Sequence, residues 1–208
     1  MPPIMNIGLR VCGAATVLVL LFLLIGMLLP HSYQTAAEVV IDAPPEKVFP
    51  YLNRLDRWPE WSQWATNKDS MFAVEYGPQV EGVGAVQTWK EPRGSGKLWI
   101  TGSELDQRLE YVVEFGDFPR MTSRFELQAV DSGTRLRWSS EGRLPSGPFY
   151  GWLKMAFVNG MKSQYQQALI KLDAVVTGKP LPGAADPGMA EPKSAEQLES
   201  KPTSPDQQ

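Results

Sequence analysis

Few residues in this 208-residue sequence could do acid–base or nucleophilic chemistry. His31 is the only histidine and Cys12 the only cysteine, which removes almost all Ser–His and Cys–His machinery and any cysteine-based metal site. Tyr111, Glu104 and Glu126 remain as candidates for an acid–base role, but no spacing brings two carboxylates together. The sequence therefore predicts no catalytic residue, no metal site and no cofactor, and favours a protein without enzymatic activity.

Polar residues on the predicted strands allow two interpretations. In an alternating sheet with one solvated face, most charges point outward and pair across strands, whereas ligand contact requires them to point inward. The net charge of -3 gives no sign of the basic surface that nucleic-acid binding requires, so no nucleic-acid partner is predicted. The polar residues open to both interpretations are Glu75, Gln87, Glu104, Tyr111, Glu114, Arg124, Glu126 and Arg137.

The N-terminal region is dominated by a long apolar run. Residues 11–29 read VCGAATVLVLLFLLIGMLL, follow Arg10 and end before Pro30. About 20 such residues span a bilayer, so we predict a single-pass transmembrane anchor over residues 1–32, with a cleaved signal peptide as the alternative. Arg10 biases the N-terminus to the cytoplasm, which predicts an inner-membrane location with the folded domain on the extracytoplasmic side.

The following part of the chain alternates apolar and polar residues between turn signals. This period-two pattern predicts strands, and two short helices are predicted between the first and the second of them. Gly94-Ser95-Gly96 and Asp131-Ser132-Gly133 are predicted as hairpin turns, so neighbouring strands should be antiparallel. The predicted strands cover residues 35–43, 71–76, 84–90, 98–105, 109–115, 121–130 and 134–144.

Residues 149–176 predict one long helix, since apolar residues recur there at helical spacing. At Gly160 the centre of its apolar stripe moves from Leu153 and Phe157 to Met161 and Tyr165. We interpret this shift as a bend, or as a helix wrapping a twisted sheet.

The order strand, two helices, six strands and long helix, with AEVVIDAPPEKVFPYLNRLDRWPEWSQW at its start, resembles the START-like helix-grip (SRPBCC) superfamily. More narrowly, it resembles the polyketide cyclase/dehydrase and lipid-transport branch, through GVGAVQTW, the GSGK turn, RLEYVVEF and SGTRLRWSSEG. The resemblance implies an α+β helix-grip fold, in which a curved antiparallel sheet of about seven strands surrounds the long C-terminal helix and a hydrophobic ligand cavity. The predicted domains are the N-terminal transmembrane helix at 1–32, the helix-grip domain at 33–177 and a disordered tail at 178–208.

Three functions follow from this architecture. The first is a membrane-anchored binding module for a small hydrophobic, lipid- or polyketide-like ligand; the others are a cyclase or dehydratase for a polyketide-like substrate, and a ligand-free interaction domain. Trp58, Trp61 and Trp64 either pack in the core or contact the bilayer interface. The residues expected to line the cavity are Trp89, Ile100, Tyr111, Val113, Trp138, Leu153, Phe157 and Gly160.

Overall fold

The computed structural model describes residues 3–62, 73–91 and 94–181. These residues form four α-helices, seven β-strands and one short 3-10 turn. In chain order they are α1 (Pro3–Leu28), β1 (Ser32–Ile41), α2 (Pro45–Asn53), the 3-10 turn (Leu55–Arg57), α3 (Trp58–Trp61), β2 (Ala73–Tyr76), β3 (Val86–Glu91), β4 (Gly94–Glu104), β5 (Arg108–Phe115), β6 (Met121–Val130), β7 (Gly133–Arg143) and α4 (Pro148–Thr177).

The seven strands form one antiparallel sheet in the order β1-β7-β6-β5-β4-β3-β2. The α+β class, the seven-stranded sheet and the long C-terminal helix are therefore confirmed. The predicted turn at Asp131-Ser132 lies between Val130 and Gly133, which pair across the β6–β7 hairpin. The predicted turn at Gly94-Ser95-Gly96 is wrong, because all three residues belong to β4 and pair with β3.

Helix α4 lies beside β1, which is an edge strand of the sheet. The side chains of Lys154 and Gln166 donate to the backbone carbonyl oxygens of Ser32 and Glu38, both at 3.4 Å. Because the contacts advance in the same direction along both elements, α4 runs parallel to β1. The helix thereby covers an edge whose backbone groups would otherwise invite pairing with another chain.

The two halves of α4 have different surroundings. In the second half Met161, Tyr165 and Leu169 are buried, whereas Leu153 and Phe157 in the first half are exposed. The first half packs on α1, where the rings of Phe22 and Trp152 stack with their centroids 4.9 Å apart. The shift of the apolar stripe at Gly160 thus coincides with a change of packing partner within one continuous helix.

Within the described part of the chain, no helix is both long enough and apolar enough to cross a membrane. The transmembrane anchor predicted for residues 1–32 is therefore not supported. Most of the predicted tail, residues 182–208, lies outside the described residues, and its disorder stays a prediction.

Candidate ligand-binding interior

The space between the sheet and α4 contains a cluster of aromatic side chains. Trp58 and Trp61 are buried there and donate their indole N–H groups to the backbone carbonyls of Leu52, at 2.9 Å, and Tyr51, at 3.1 Å. Since both indoles are buried and hydrogen-bonded within the fold, the core interpretation is confirmed for these two residues and interfacial contact is wrong for them. Trp64 lies outside the described residues.

A row of hydroxyl side chains crosses the inner face of the sheet. The strand register places Tyr111 opposite Ser123, Ser123 opposite Ser140, and Ser140 opposite Thr35, on β5, β6, β7 and β1. Residues directly opposite each other share one face of a sheet. All four side chains are buried. We call these four residues the hydroxyl row.

Hydrogen bonds connect Tyr111 of the row to Trp138, and Ser140 of the row to Tyr165 of α4. The Trp138 indole donates to the Tyr111 hydroxyl at 2.8 Å, and a hydrogen bond joins Tyr111 to Ser123. The Ser123 and Ser140 hydroxyl oxygens are 2.6 Å apart, and Ser140 is 2.7 Å from the Tyr165 hydroxyl. Tyr111, Ser123 and Ser140 are therefore connected to one another by hydrogen bonds, whereas Thr35, the fourth residue of the row, takes no part in this network.

The Trp138 indole must be the donor in its hydrogen bond to Tyr111, because an indole N–H can only donate. In the Ser123–Ser140 and Ser140–Tyr165 pairs either hydroxyl can be the donor. When Ser140 donates to Tyr165, the Tyr165 O–H is left to donate elsewhere. Its described partner as a donor is the sulfur of Met121, 4.0 Å away, which is a weak acceptor.

Both buried phenols are held in the neutral form. Burial raises the pKa of Tyr111 well above its ordinary value, and a smaller opposing effect comes from its hydrogen bonds with Ser123 and Trp138. Burial likewise raises the pKa of Tyr165, against the hydrogen bond with Ser140. Because desolvation disfavours a phenolate, both groups act as hydrogen-bond donors or acceptors at neutral pH and not as bases.

Two further polar atoms in the interior lack a hydrogen-bond partner among the described residues. They are the Thr35 hydroxyl oxygen and the Gln87 side-chain carbonyl oxygen, on side chains that are only 7% and 3% exposed. Gln87 lies in the next row across the sheet, opposite Leu98. A buried polar atom without a partner costs about 1–3 kcal/mol, so each calls for an explanation such as a bound ligand.

At the end of the sheet beyond the hydroxyl row, two aromatic rings lie over glycines of neighbouring strands. The Trp89 ring covers Gly96 and the Tyr33 ring covers Gly142, so that a Cβ atom at either glycine would collide with the ring. Tyr33 also meets Phe157 edge to face, with the ring centroids 5.1 Å apart. These rings give this end of the interior an aromatic wall.

The predicted cavity residues fall into two groups. Those on strands are buried in the interior: Trp89, Ile100, Tyr111, Val113 and Trp138. Those on α4, Leu153, Phe157 and Gly160, are exposed, and of these Phe157 contacts the interior through Tyr33.

The part of α4 that faces the interior is its second half, which the sequence-based selection of cavity residues missed. The helical spacing after Gly160 carries the signal that could have identified it. The buried residues of this half are Met161, Tyr165, Ala168, Leu169 and Leu172. A role of any of these positions in binding a ligand stays a prediction.

The three acid–base candidates are not brought together. Tyr111 is buried, whereas Glu104 and Glu126 are exposed. Glu104 pairs with Arg108, and Glu126 lies 3.8 Å from Arg124. Of the eight polar strand residues, Gln87 and Tyr111 are the ones buried in the interior. Within the described ranges, no three His, Cys, Asp or Glu side chains are placed to hold a metal ion.

Comparison with known proteins identifies the family. Residues 33–177 match the family described as polyketide cyclase / dehydrase and lipid transport. The chain belongs to this family. A family relative from Streptomyces cyaneus, named as a proposed polyketide cyclase, is 26% identical over 144 residues, which cover 66% of this chain and 90% of that protein.

Solved structures share the family fold at low sequence identity. Protein SA2116 of Staphylococcus aureus, of unknown function, has a TM-score of 0.58 and 11% identity, covering 72% of this chain and 96% of that one. Protein MLL2253 of Mesorhizobium loti has a TM-score of 0.53 and 21% identity, covering 72% and 100%. At these identities the likeness establishes the fold alone.

Proposed function

We propose that the domain binds a small hydrophobic ligand, lipid- or polyketide-like, that carries a hydrogen-bonding oxygen. The observation that carries this proposal is the hydroxyl row, which places polar groups inside an otherwise aromatic and aliphatic interior. Ligand sites are typically apolar and contain a small number of well-placed polar groups. In a core that binds no ligand, by contrast, a buried hydroxyl without a hydrogen bond only lowers the stability. The family to which the chain belongs supports the same function.

The hydrogen-bond inventory specifies which ligand atoms would fit. Among the described residues, the Tyr165 O–H can donate to the Met121 sulfur, a weak acceptor, and the Thr35 hydroxyl has no hydrogen-bond partner. Both can donate to a carbonyl or hydroxyl oxygen, whereas the unpartnered Gln87 oxygen can accept from a ligand hydroxyl. A ligand with such oxygens on an apolar skeleton would satisfy these groups while burying its carbon surface.

Binding of an apolar fluorescent carboxylic acid or ketone to Thr35→Val tests this proposal. Removing one hydrogen bond of about 0.5–1.5 kcal/mol should weaken binding roughly 2–12-fold. Thr122→Val is the matched control, since Thr122 is exposed and lies on the outer face of strand β6 of the same sheet. Equal affinity of the wild type and Thr35→Val, or failure of the wild type to bind any such probe, would contradict the proposal. Native mass spectrometry of the purified protein would reveal a ligand that copurifies.

Cyclisation or dehydration of a polyketide-like substrate is a second candidate. The paired phenols Tyr111 and Tyr165 favour it, because a neutral phenol can donate to the oxygen on which charge develops when a carbonyl enolises. The reaction would also need a base, and Glu104 and Glu126 lie on the other side of the sheet. Conversion of a bound polyketone to a product of lower mass by one water, lost in Tyr165→Phe, would establish this activity.

We further propose that the protein works at the inner membrane, held there by the apolar N-terminal segment, with the folded domain on the extracytoplasmic side. The support is compositional: α1 has no charged residue after Arg10. Because β1 begins four residues after α1 ends, the domain would lie directly at the lipid surface. A ligand soluble in lipid would then be close to its binding site.

A further inference from the structure

The first half of α4 exposes a large apolar surface. Met155 is 75% exposed, Phe149 59% and Leu153 56%, and the neighbouring Phe157 is also exposed. Single exposed apolar side chains are ordinary on protein surfaces, but a contiguous group of large ones marks a contact site. Lys154 is the only charged residue from 148 to 161, and its ammonium group reaches back to the Ser32 carbonyl at 3.4 Å.

This surface is continuous with α1, which packs on the first half of α4. The Trp152 indole donates to the Phe22 carbonyl at 3.2 Å, and Gly26 lies against Gly151 and the Pro148 backbone. A Cβ atom added at Gly151 would come within 2.8 Å of the Leu29 side chain, so the two helices are in close contact. The helix pair therefore presents one shared surface to its surroundings.

The character of α1 decides what covers that surface. Residues 17–21 are five successive large apolar residues and all are exposed. Because a helical turn contains about 3.6 residues, they point in every direction around the axis. A helix that is apolar all round belongs in a protein core or in a membrane. A protein partner or a second copy of the chain would cover only one stripe of such a helix, whereas lipid covers every side of it.

We propose that the first half of α4 is immersed in lipid together with α1. The boundary lies near Asn159, because Lys162, Ser163 and Gln164 follow on exposed positions. Phe157 lies at this boundary and contacts Tyr33, so the aromatic end of the interior faces the lipid phase. This inference rests on the proposed membrane location, but it does not depend on the proposed ligand.

A fluorescent label at residue 155 tests the proposal in the full-length chain. Cys12→Ser removes the native thiol, and Met155→Cys or Lys162→Cys then carries an environment-sensitive nitrobenzoxadiazole label. Both positions are exposed and lie on the same face of α4, two turns apart. The labelled proteins are reconstituted in vesicles of phosphatidylcholine and phosphatidylglycerol, with or without lipids that carry a nitroxide quencher on the acyl chain.

The expected result is a loss of emission of at least about twofold at residue 155 with quencher lipids, as for a side chain at acyl-chain depth, and no loss at residue 162. Water-like, unquenched emission at residue 155 from membrane-bound protein would overturn the inference and leave the membrane location standing. A blue-shifted emission that quencher lipids do not reduce, and that disappears when unlabelled protein is added in excess, would show that a second copy of the chain covers residue 155. That result would also overturn the inference.

Discussion

Replacement of Tyr165 by Phe should lower the stability of the domain by a small and calculable amount at neutral pH. The Tyr165 ring stacks on Trp138 with centroids 3.8 Å apart, and a phenylalanine ring keeps that contact. The lost group is one hydroxyl, bonded to Ser140 at 2.7 Å, while Ser140 keeps its hydrogen bond to Ser123 at 2.6 Å. We expect the free energy of unfolding to fall by about 0.5–1.5 kcal/mol, measured by urea denaturation at pH 8.

At alkaline pH the same substitution should become stabilising. Burial raises the pKa of Tyr165 above its unfolded value of about 10, so the folded state keeps a proton that the unfolded state releases. The stabilisation by the buried neutral phenol is complete below pH 10 and is lost as the pH rises toward the folded pKa. At pH 11 the loss amounts to about 1.4 kcal/mol, which nearly offsets the upper end of the difference of about 0.5–1.5 kcal/mol expected at pH 8. The order of stability of the wild type and Tyr165→Phe should therefore reverse between about pH 10 and about pH 11.

Ser140→Ala is the control for this experiment. It removes the Ser140–Tyr165 hydrogen bond, and with it the Ser123–Ser140 bond, but keeps the phenol. Its free energy of unfolding should therefore stay below that of the wild type by a nearly constant amount from pH 8 to pH 11. A constant difference between the wild type and Tyr165→Phe over this range would refute the reasoning, since it would mean that the Tyr165 phenol ionises as easily in the folded state as in the unfolded state.

Two further predictions concern α4 and the N-terminal segment. Gly160→Ala should raise the free energy of unfolding in urea by up to about 1 kcal/mol, because a Cβ atom there meets nothing within 4 Å and alanine favours the helix; a decrease would show that the glycine is needed for packing. The full-length chain should stay with membranes after washing in alkaline carbonate, and protease added outside spheroplasts should digest the domain. Release by carbonate would exclude the proposed anchoring, and digestion only after lysis would reverse the orientation.

The sheet could be predicted from the sequence because its pattern is local. Alternation placed Ile100, Tyr111 and Trp138 on the inner face, and all three are buried there. The hydroxyl row was not predicted, because Ser123 and Ser140 are small polar residues whose proximity depends on the register between strands. Register is a non-local property, and a slip of one residue would turn each serine outward.

The helix residues of the predicted cavity show a different limit. The apolar stripe of α4 runs from Leu153 to Leu172, and its periodicity is the same whether the partner is the sheet, another helix or lipid. Only the structure shows that the second half of α4 packs on the sheet and that its first half packs on α1. The helical pattern was thus correct, but it could not show that Leu153 and Gly160 are exposed.

The state of the phenols favours binding over catalysis. A general base works best when its pKa lies near the operating pH, and burial moves the pKa values of Tyr111 and Tyr165 in the opposite direction, further from neutrality. Burial raises the free-energy cost of leaving a polar group without a hydrogen bond. It therefore increases the preference for a ligand that supplies that hydrogen bond. A site built to hydrogen-bond an oxygen rejects the analogue that lacks it far more strongly than an apolar wall rejects a missing methylene. Under the proposed function, the hydroxyl row would select ligands that carry an oxygen over apolar molecules that lack one.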